Sequence, residues 1–192
     1  QGRLLVQDKT GLTVDWIPER IGTQTPLSRG DRIRMSIEVS EPGFLYIFDR
    51  ERYHNGRTGR PYLIYPNLNM NAGGNRVGPG RLTEIPPRSD SSPWWMLSSD
   101  SNDYAGELIS IVFSAHSLTG LDIGEKEVPV AETMFQSILG RLAARSKQYD
   151  LPASSGKTPT SAEQDAGENG RLLTQQDAPP QTIVEVTGRK PG

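Results

Sequence analysis

The sequence predicts a mainly β fold: an antiparallel, sandwich-like domain with one α-helix on its C-terminal side. Three observations predict it. Ile33, Met35, Ile37 and Val39 alternate with Arg34, Ser36 and Glu38, the period of two that gives a strand one buried and one wet face. Gly43-Phe-Leu-Tyr-Ile-Phe-Asp49 is apolar on both faces, as in a strand covered from both sides. Met134, Phe135, Ile138, Leu139 and Leu142 fall on one face of a single helix.

Taken in order, Arg3 to Trp16 reads as two short strands around Lys9-Thr10-Gly11. Pro18, Gly22 and Pro26 mark a looser segment up to Gly30. Asp31 to Asp49 reads as a β-hairpin that turns at Glu41-Pro-Gly43 and starts the core. Asn55-Gly56 is a turn signal, and Tyr62-Leu-Ile-Tyr65 returns as a strand that Pro66 ends. Residues 67–80, rich in Asn and Gly, form a loop long enough to be either functional or mobile. Short strands are expected at 81–85 and 94–97. A long one is expected from Gly106 to His116, with Leu108, Ile109, Ile111, Val112 and Phe113 buried.

The helix is placed at 129–148. Pro129 suits its first turn, and Glu132 near its start and Arg141, Arg145 and Lys147 near its end suit the helix dipole. Residues 153–181 read as a flexible linker by composition, and 182–187 as a terminal strand. That strand pairs either with this domain's own sheet or with a partner. A single β-rich domain is thus expected over 1–150.

Composition excludes several function classes. With no cysteine among its 192 residues, the chain carries no disulfide scaffold, thiolate zinc site or cysteine nucleophile. Two histidines, His54 and His116, leave little for a histidine-rich metal centre. A net charge of -2 is unlike the strongly basic footprint of a general nucleic-acid binder. No apolar run is long enough to span a membrane. The chain opens at Gln1 rather than Met, so either a secretory leader has been removed, the preferred reading, or the sequence starts inside a longer protein. A secreted, periplasmic or cell-envelope location is expected.

Candidate chemistry is sparse. His116 lies two residues beyond Ser114 on one strand face, the nearest approach to a serine–histidine pair, but Gly-x-Ser-x-Gly is absent. Asp49, Glu51 and His54 cluster at a strand end, where carboxylates and imidazole can hold a divalent ion. The interleaved Arg50 and Arg52 read instead as a solvated charged turn, and no metal or cofactor is expected. Asp100-Ser-Asn-Asp103 reads as a polar turn, since calcium-loop ligands are out of register. Trp94-Trp95 is the most suggestive dipeptide. Neighbours on a strand face opposite ways, so either both are core or one is exposed beside Tyr104 or Tyr62 to stack a sugar or anchor a protein. Residues 50–90 carry a local surplus of four positive charges, Arg57, Arg60 and Arg76 among them, which reads either as a solvated set of loops, favoured by the overall balance, or as a face for an anionic partner.

Several segments in order resemble a bacterial family catalogued as domain of unknown function 4384. They are Leu27-Ser-Arg-Gly-Asp-Arg-Ile-Arg-Met35, Gly43-Phe-Leu-Tyr-Ile-Phe48, Leu63-Ile-Tyr-Pro-Asn67, a proline at 86 or 87, and Gly106-Glu107 running into Leu108-Ile-Ser-Ile-Val-Phe113. Phe44 stands where the family has Tyr, and Tyr65 where it has Phe. The resemblance covers about 25–118. It implies a compact β domain that accompanies other modules, such as caspase-like peptidases and kinases, in exported or envelope-linked bacterial proteins. No catalytic residue carries over from it. The motif positions also have turn chemistry of their own: Gly30-Asp31 before a strand, Tyr65-Pro66-Asn67 ending one and Gly106-Glu107 restarting one.

The expected function is a non-enzymatic accessory or interaction module that binds a protein or glycan partner in the cell envelope through loops 50–80 and 86–104. The residues expected to touch it are Trp94, Trp95, Tyr104, Arg57, Arg60 and Arg76. The alternatives are a carbohydrate-binding module using an exposed Trp and a hydrolase using His116. A monomer is expected.

Overall fold

The computed structural model describes residues 6–7, 14–15, 26–87, 89–143, 146–151 and 181–186. In chain order the strands are β1 (Val6–Gln7), β2 (Val14–Asp15), β3 (Arg32–Ile33), β4 (Met35–Ile37), β5 (Gly43–Asp49), β6 (Glu51–Tyr53), β7 (Tyr62–Tyr65), β8 (Arg76–Val77), β9 (Thr83–Ile85), β10 (Trp95–Met96), β11 (Tyr104–Glu107), β12 (Ser110–Ser114) and β13 (Val128–Pro129). The helix α1 (Glu132–Ala143) follows, then β14 (Ser146–Leu151) and β15 (Gln181–Val186). The described residues are mainly β, every ladder among them is antiparallel, and α1 is their one α-helix.

The central sheet has the order β12-β5-β7-β13, with β8 also on β5. β5 is the strand apolar on both faces, and both faces are buried. Tyr46 and Phe48 point toward α1 and pack with Leu63, Val112, Val130, Phe135 and Ile138. Leu45 and Ile47 point the other way, among Tyr65, Val77 and Ile85. Met35, Ile37 and Trp95, from the short pairs β4–β9 and β3–β10, cover that side. Helix, sheet and short ribbons thus form stacked layers, the sandwich-like arrangement that the alternating strands predict. Gly43 lets β5 start beside β12: a Cβ there would stand 2.5 Å from the Phe113 ring and 2.7 Å from the Ser114 carbonyl oxygen.

Several elements differ from expectation. Asp31–Asp49 is not a hairpin. Residues 32–37 pair with β10 and β9, while β5 pairs with β12, β7 and β8, so the 41–43 turn carries the chain between layers. The alternating strand breaks at Arg34, whose Nε donates to the Pro93 carbonyl at 2.8 Å. The strand expected from Gly106 to His116 is two strands. The break at 108–109 matches a break at Arg50 on the partner side, and Leu108 N–H donates to the Arg50 carbonyl at 2.8 Å.

Leu108 and Ile111 are not buried; they are 43% and 52% exposed. β12 is the outer strand of the sheet, so part of its apolar face has no strand beside it. The helix is shorter than 129–148. Val128–Pro129 pairs with β7, and Val130 N–H donates to the Pro61 carbonyl. Pro129 lacks an N–H and fits that outer strand as well as a helix start. After α1, residues 146–151 form a strand because they find a six-residue ladder with residues 181–186. The terminal strand therefore has a partner within this chain. The 9–11 turn and residues 153–180 of the expected linker lie outside the described residues, and Gln181 already belongs to β15.

Candidate functional site

Three segments meet at the end of the sheet where β5 passes into β6. The 28–31 turn is built by Asp31, whose carboxylate accepts Ser28 N–H at 2.7 Å, and by Gly30 at a φ of +90°. It is tied to residue 97 by Gly30 N–H to the Leu97 carbonyl and Leu97 N–H to the Asp31 carbonyl. Arg29 donates to the Ser101 carbonyl at 2.8 Å, and its guanidinium lies 5.4 Å from the centre of the Tyr104 ring. His54 N–H donates to the Asp103 carbonyl, joining the 53–57 turn to the 99–103 turn. Between those two turns is an open cleft of about 340 Å³ lined by Tyr53, Asn55, Arg57, Ser101 and Asp103.

The β3–β10 ribbon adds a face to this end. Ile33 pairs with Trp95 and Arg32 with Met96. Alternation then places Ile33 and Trp95 on the core side and Arg32, Trp94 and Met96 on the other. The Arg32 guanidinium lies 4.4 Å from the Trp94 ring centre, well within cation–π reach, and Met96 is 58% exposed.

Under the cleft lies an acidic network. Asp49, Glu51 and Tyr53 alternate along one side of the chain, and Arg50 and Arg52 along the other. Glu51 stands opposite Glu107, and Tyr53 opposite Tyr104, with a bulge between Tyr104 and Gly106. Tyr53 donates to Glu51 at 2.5 Å, and Tyr104 donates to Glu107 at 3.0 Å. Asp49 Oδ1 and Glu107 Oε2 are buried and have no ordinary donor. Burial raises both carboxyls, Asp49 to about 6 and Glu107, also opposed by the charge of Asp49, to about 8. These shifts favour a protonated Glu107 beside an ionised Asp49 near neutrality. The hydrogen bond to Glu51 raises the Tyr53 phenol, and burial does most to raise that of Tyr104. This network can hold a proton, and it braces β6 against β11 beneath both turns.

Arg50 is not a solvated turn residue. It is 8% exposed and reaches across the sheet to Glu132 in the first turn of α1, at 3.2 and 2.9 Å. His54 is exposed and stands apart from the carboxyl pair, its place beside Asp49 taken by Glu107. Among the described residues, no group of three His, Asp or Glu side chains is arranged to hold a metal ion. No helix among them is long and apolar enough to cross a membrane.

Of the residues singled out from sequence, Arg57, Tyr104 and Trp94 come together at this end. Trp95 packs against the core. Arg60 is exposed and does not line the cleft. Arg76 pairs with Phe44 at the start of β5, roughly 16 Å along the strand from Asp49. Arg29, Arg32 and Glu107 stood in the sequence only as parts of turn and strand motifs, with no site role. Only the pairing of segments some seventy residues apart gives them partners, and no local pattern marks that pairing. His116 is exposed. Its N–H lies 3.4 Å from Ser114 Oγ, and among the described residues its ring meets no carboxylate.

Compared with protein-family models, curated proteins and solved structures, the chain matches none.

Proposed function

We propose that this chain is a non-enzymatic recognition module of an exported bacterial protein, and that it binds a protein partner through the loops at the β5–β6 end of its sheet. The observation that carries this reading is the outer face of the β3–β10 ribbon, where half-buried Arg32 and Trp94 stack beside exposed Met96, joined through residues 97–101 to the Arg29–Tyr104 stack and the Arg57 cleft. Arginine, tryptophan, tyrosine and methionine are the side chains enriched at the centres of protein interfaces. The loops are held in advance by backbone hydrogen bonds and by the acidic network, which lowers the ordering cost of binding. The order of motifs resembling the bacterial family supports the exported, accessory setting.

The test is a crosslinking capture from cell-envelope extract with the whole chain, the Met96→Asp variant and the Arg57→Ala variant. Both substitutions are at exposed positions. A protein captured by the parent chain and lost with either variant supports the reading. Equal capture by all three chains, or retention of polysaccharide alone, overturns it, and the second outcome puts glycan stacking on Trp94 in its place.

A further inference from the structure

At the other end of β5, where Ser114 pairs with Phe44, the chain leaves β12 and crosses the second half of α1. Between them is a second cleft of about 240 Å³. Its apolar side is Leu118 and Ile138; its polar side is Ser114, His116, Ser117, Thr119 and Arg141. Among the described residues, no carboxylate lines it.

The polar wall is held from beneath. Tyr46, a core residue 2% exposed, accepts the Leu118 N–H at 2.8 Å and meets Ser117 Oγ at 3.3 Å. With Tyr46 donating to Ser117, the serine keeps its own hydrogen for the cleft. Arg141 is fixed by one nitrogen only, Nε to the Ser137 carbonyl at 3.1 Å. That bond turns the side chain back along the helix and leaves both Nη groups without a described partner. Among the described residues, neither Arg141 nor the His116 ring is paired with an acid.

A guanidinium fork, an imidazole and three hydroxyls around one small space, with no acid to neutralise them, match a tetrahedral oxyanion better than a cation or a neutral sugar. The volume lies below the 300–1,000 Å³ usual for larger ligands. We propose that this cleft is a binding site for a small phosphomonoester. Its phosphate meets Arg141 and the Ser114, Ser117 and Thr119 hydroxyls, and its organic group rests on Leu118 and Ile138. This site is separate from the recognition face and does not depend on it.

The test is calorimetric titration of the whole chain with inorganic phosphate, phenyl phosphate and acetate, repeated on Arg141→Gln, Thr119→Val and Arg57→Ala. Phenyl phosphate should bind more tightly than phosphate, and acetate more weakly than either. Arg141→Gln should weaken phenyl phosphate by about tenfold or more, Thr119→Val by less, and Arg57→Ala not at all. Absence of heat with both phosphates, equal binding by the parent and Arg141→Gln, or equal loss in Arg57→Ala overturns the site. Acetate binding as tightly as phosphate overturns its assignment to phosphomonoesters.

Discussion

Glu51 and Glu107 stand directly opposite each other on β6 and β11, a cross-strand position where like charges repel. Each carboxyl takes a tyrosine hydroxyl, and burial beside Asp49 raises Glu107 to about 8. The ribbon that carries the 53–57 and 99–103 turns is therefore held by two tyrosine hydrogen bonds over a crowded acidic cluster.

Stability should fall as pH rises. Asp49 and Glu107 are both raised, so the folded chain holds protons that the unfolded chain has released. The contribution is full below the unfolded values and is lost as pH rises through about 6 and then about 8. From about pH 5 to about pH 9 the pair should cost about 1–2 kcal/mol, discounted because Glu107 is only half-buried. Urea unfolding at both pH values checks this. Glu107→Gln, which keeps a donor and cannot ionise, should flatten the dependence. A variant as pH-sensitive as its parent would rule out the raised Glu107 as the source.

Arg50 fastens the sheet to the helix. It donates to the Gly59 carbonyl, pairs with Glu132 and lies 5.4 Å from the Phe135 ring centre. Arg50→Ala removes all three contacts and should cost about 2–3 kcal/mol in denaturant unfolding. Glu132→Gln, at an exposed partner, should cost less than Arg50→Ala.

Phe135 is fully buried with Ile138 on the core face of α1, set edge-on against Phe48 with ring centres 5.4 Å apart. Phe135→Ala should cost about 3–4 kcal/mol through lost burial and the cavity left behind. A loss under about 1 kcal/mol would mean that α1 does not dock on the sheet as described.

Gly43→Ala should destabilise although its backbone is ordinary strand. The added methyl would overlap the Phe113 ring and the Ser114 carbonyl, and overpacking of this kind costs about 1–3 kcal/mol. Thermal unfolding measures it, and pairing with Phe113→Leu should recover part of the loss.

The parts legible in sequence are those set by short-range periodicity. The two-faced apolar run at Gly43–Asp49 identified the central strand, the Phe135–Ile138 face identified the docking helix, and Gly30-Asp31 identified a turn that the Asp side chain does hold. The acid cluster was half legible. Asp49 and Glu51 share a face because they are two apart on a strand, but nothing local brings Glu107 to them. His54 was grouped with them because it is close in sequence, and the 53–57 turn carries it away.

Local patterning sets the class of each segment: strand, turn, helix, and which side of each is apolar. Those depend on residues within a turn or two of one another. The tertiary structure decided which strands pair, that Arg50 is buried while Ile111 is open, and that Arg32 meets Trp94 and Glu107 meets Asp49. Strand pairing satisfies backbone groups with whichever distant segment presents the right edge. A charged side chain is buried only where such a pairing supplies its partner, as Glu132 and the Gly59 carbonyl do for Arg50.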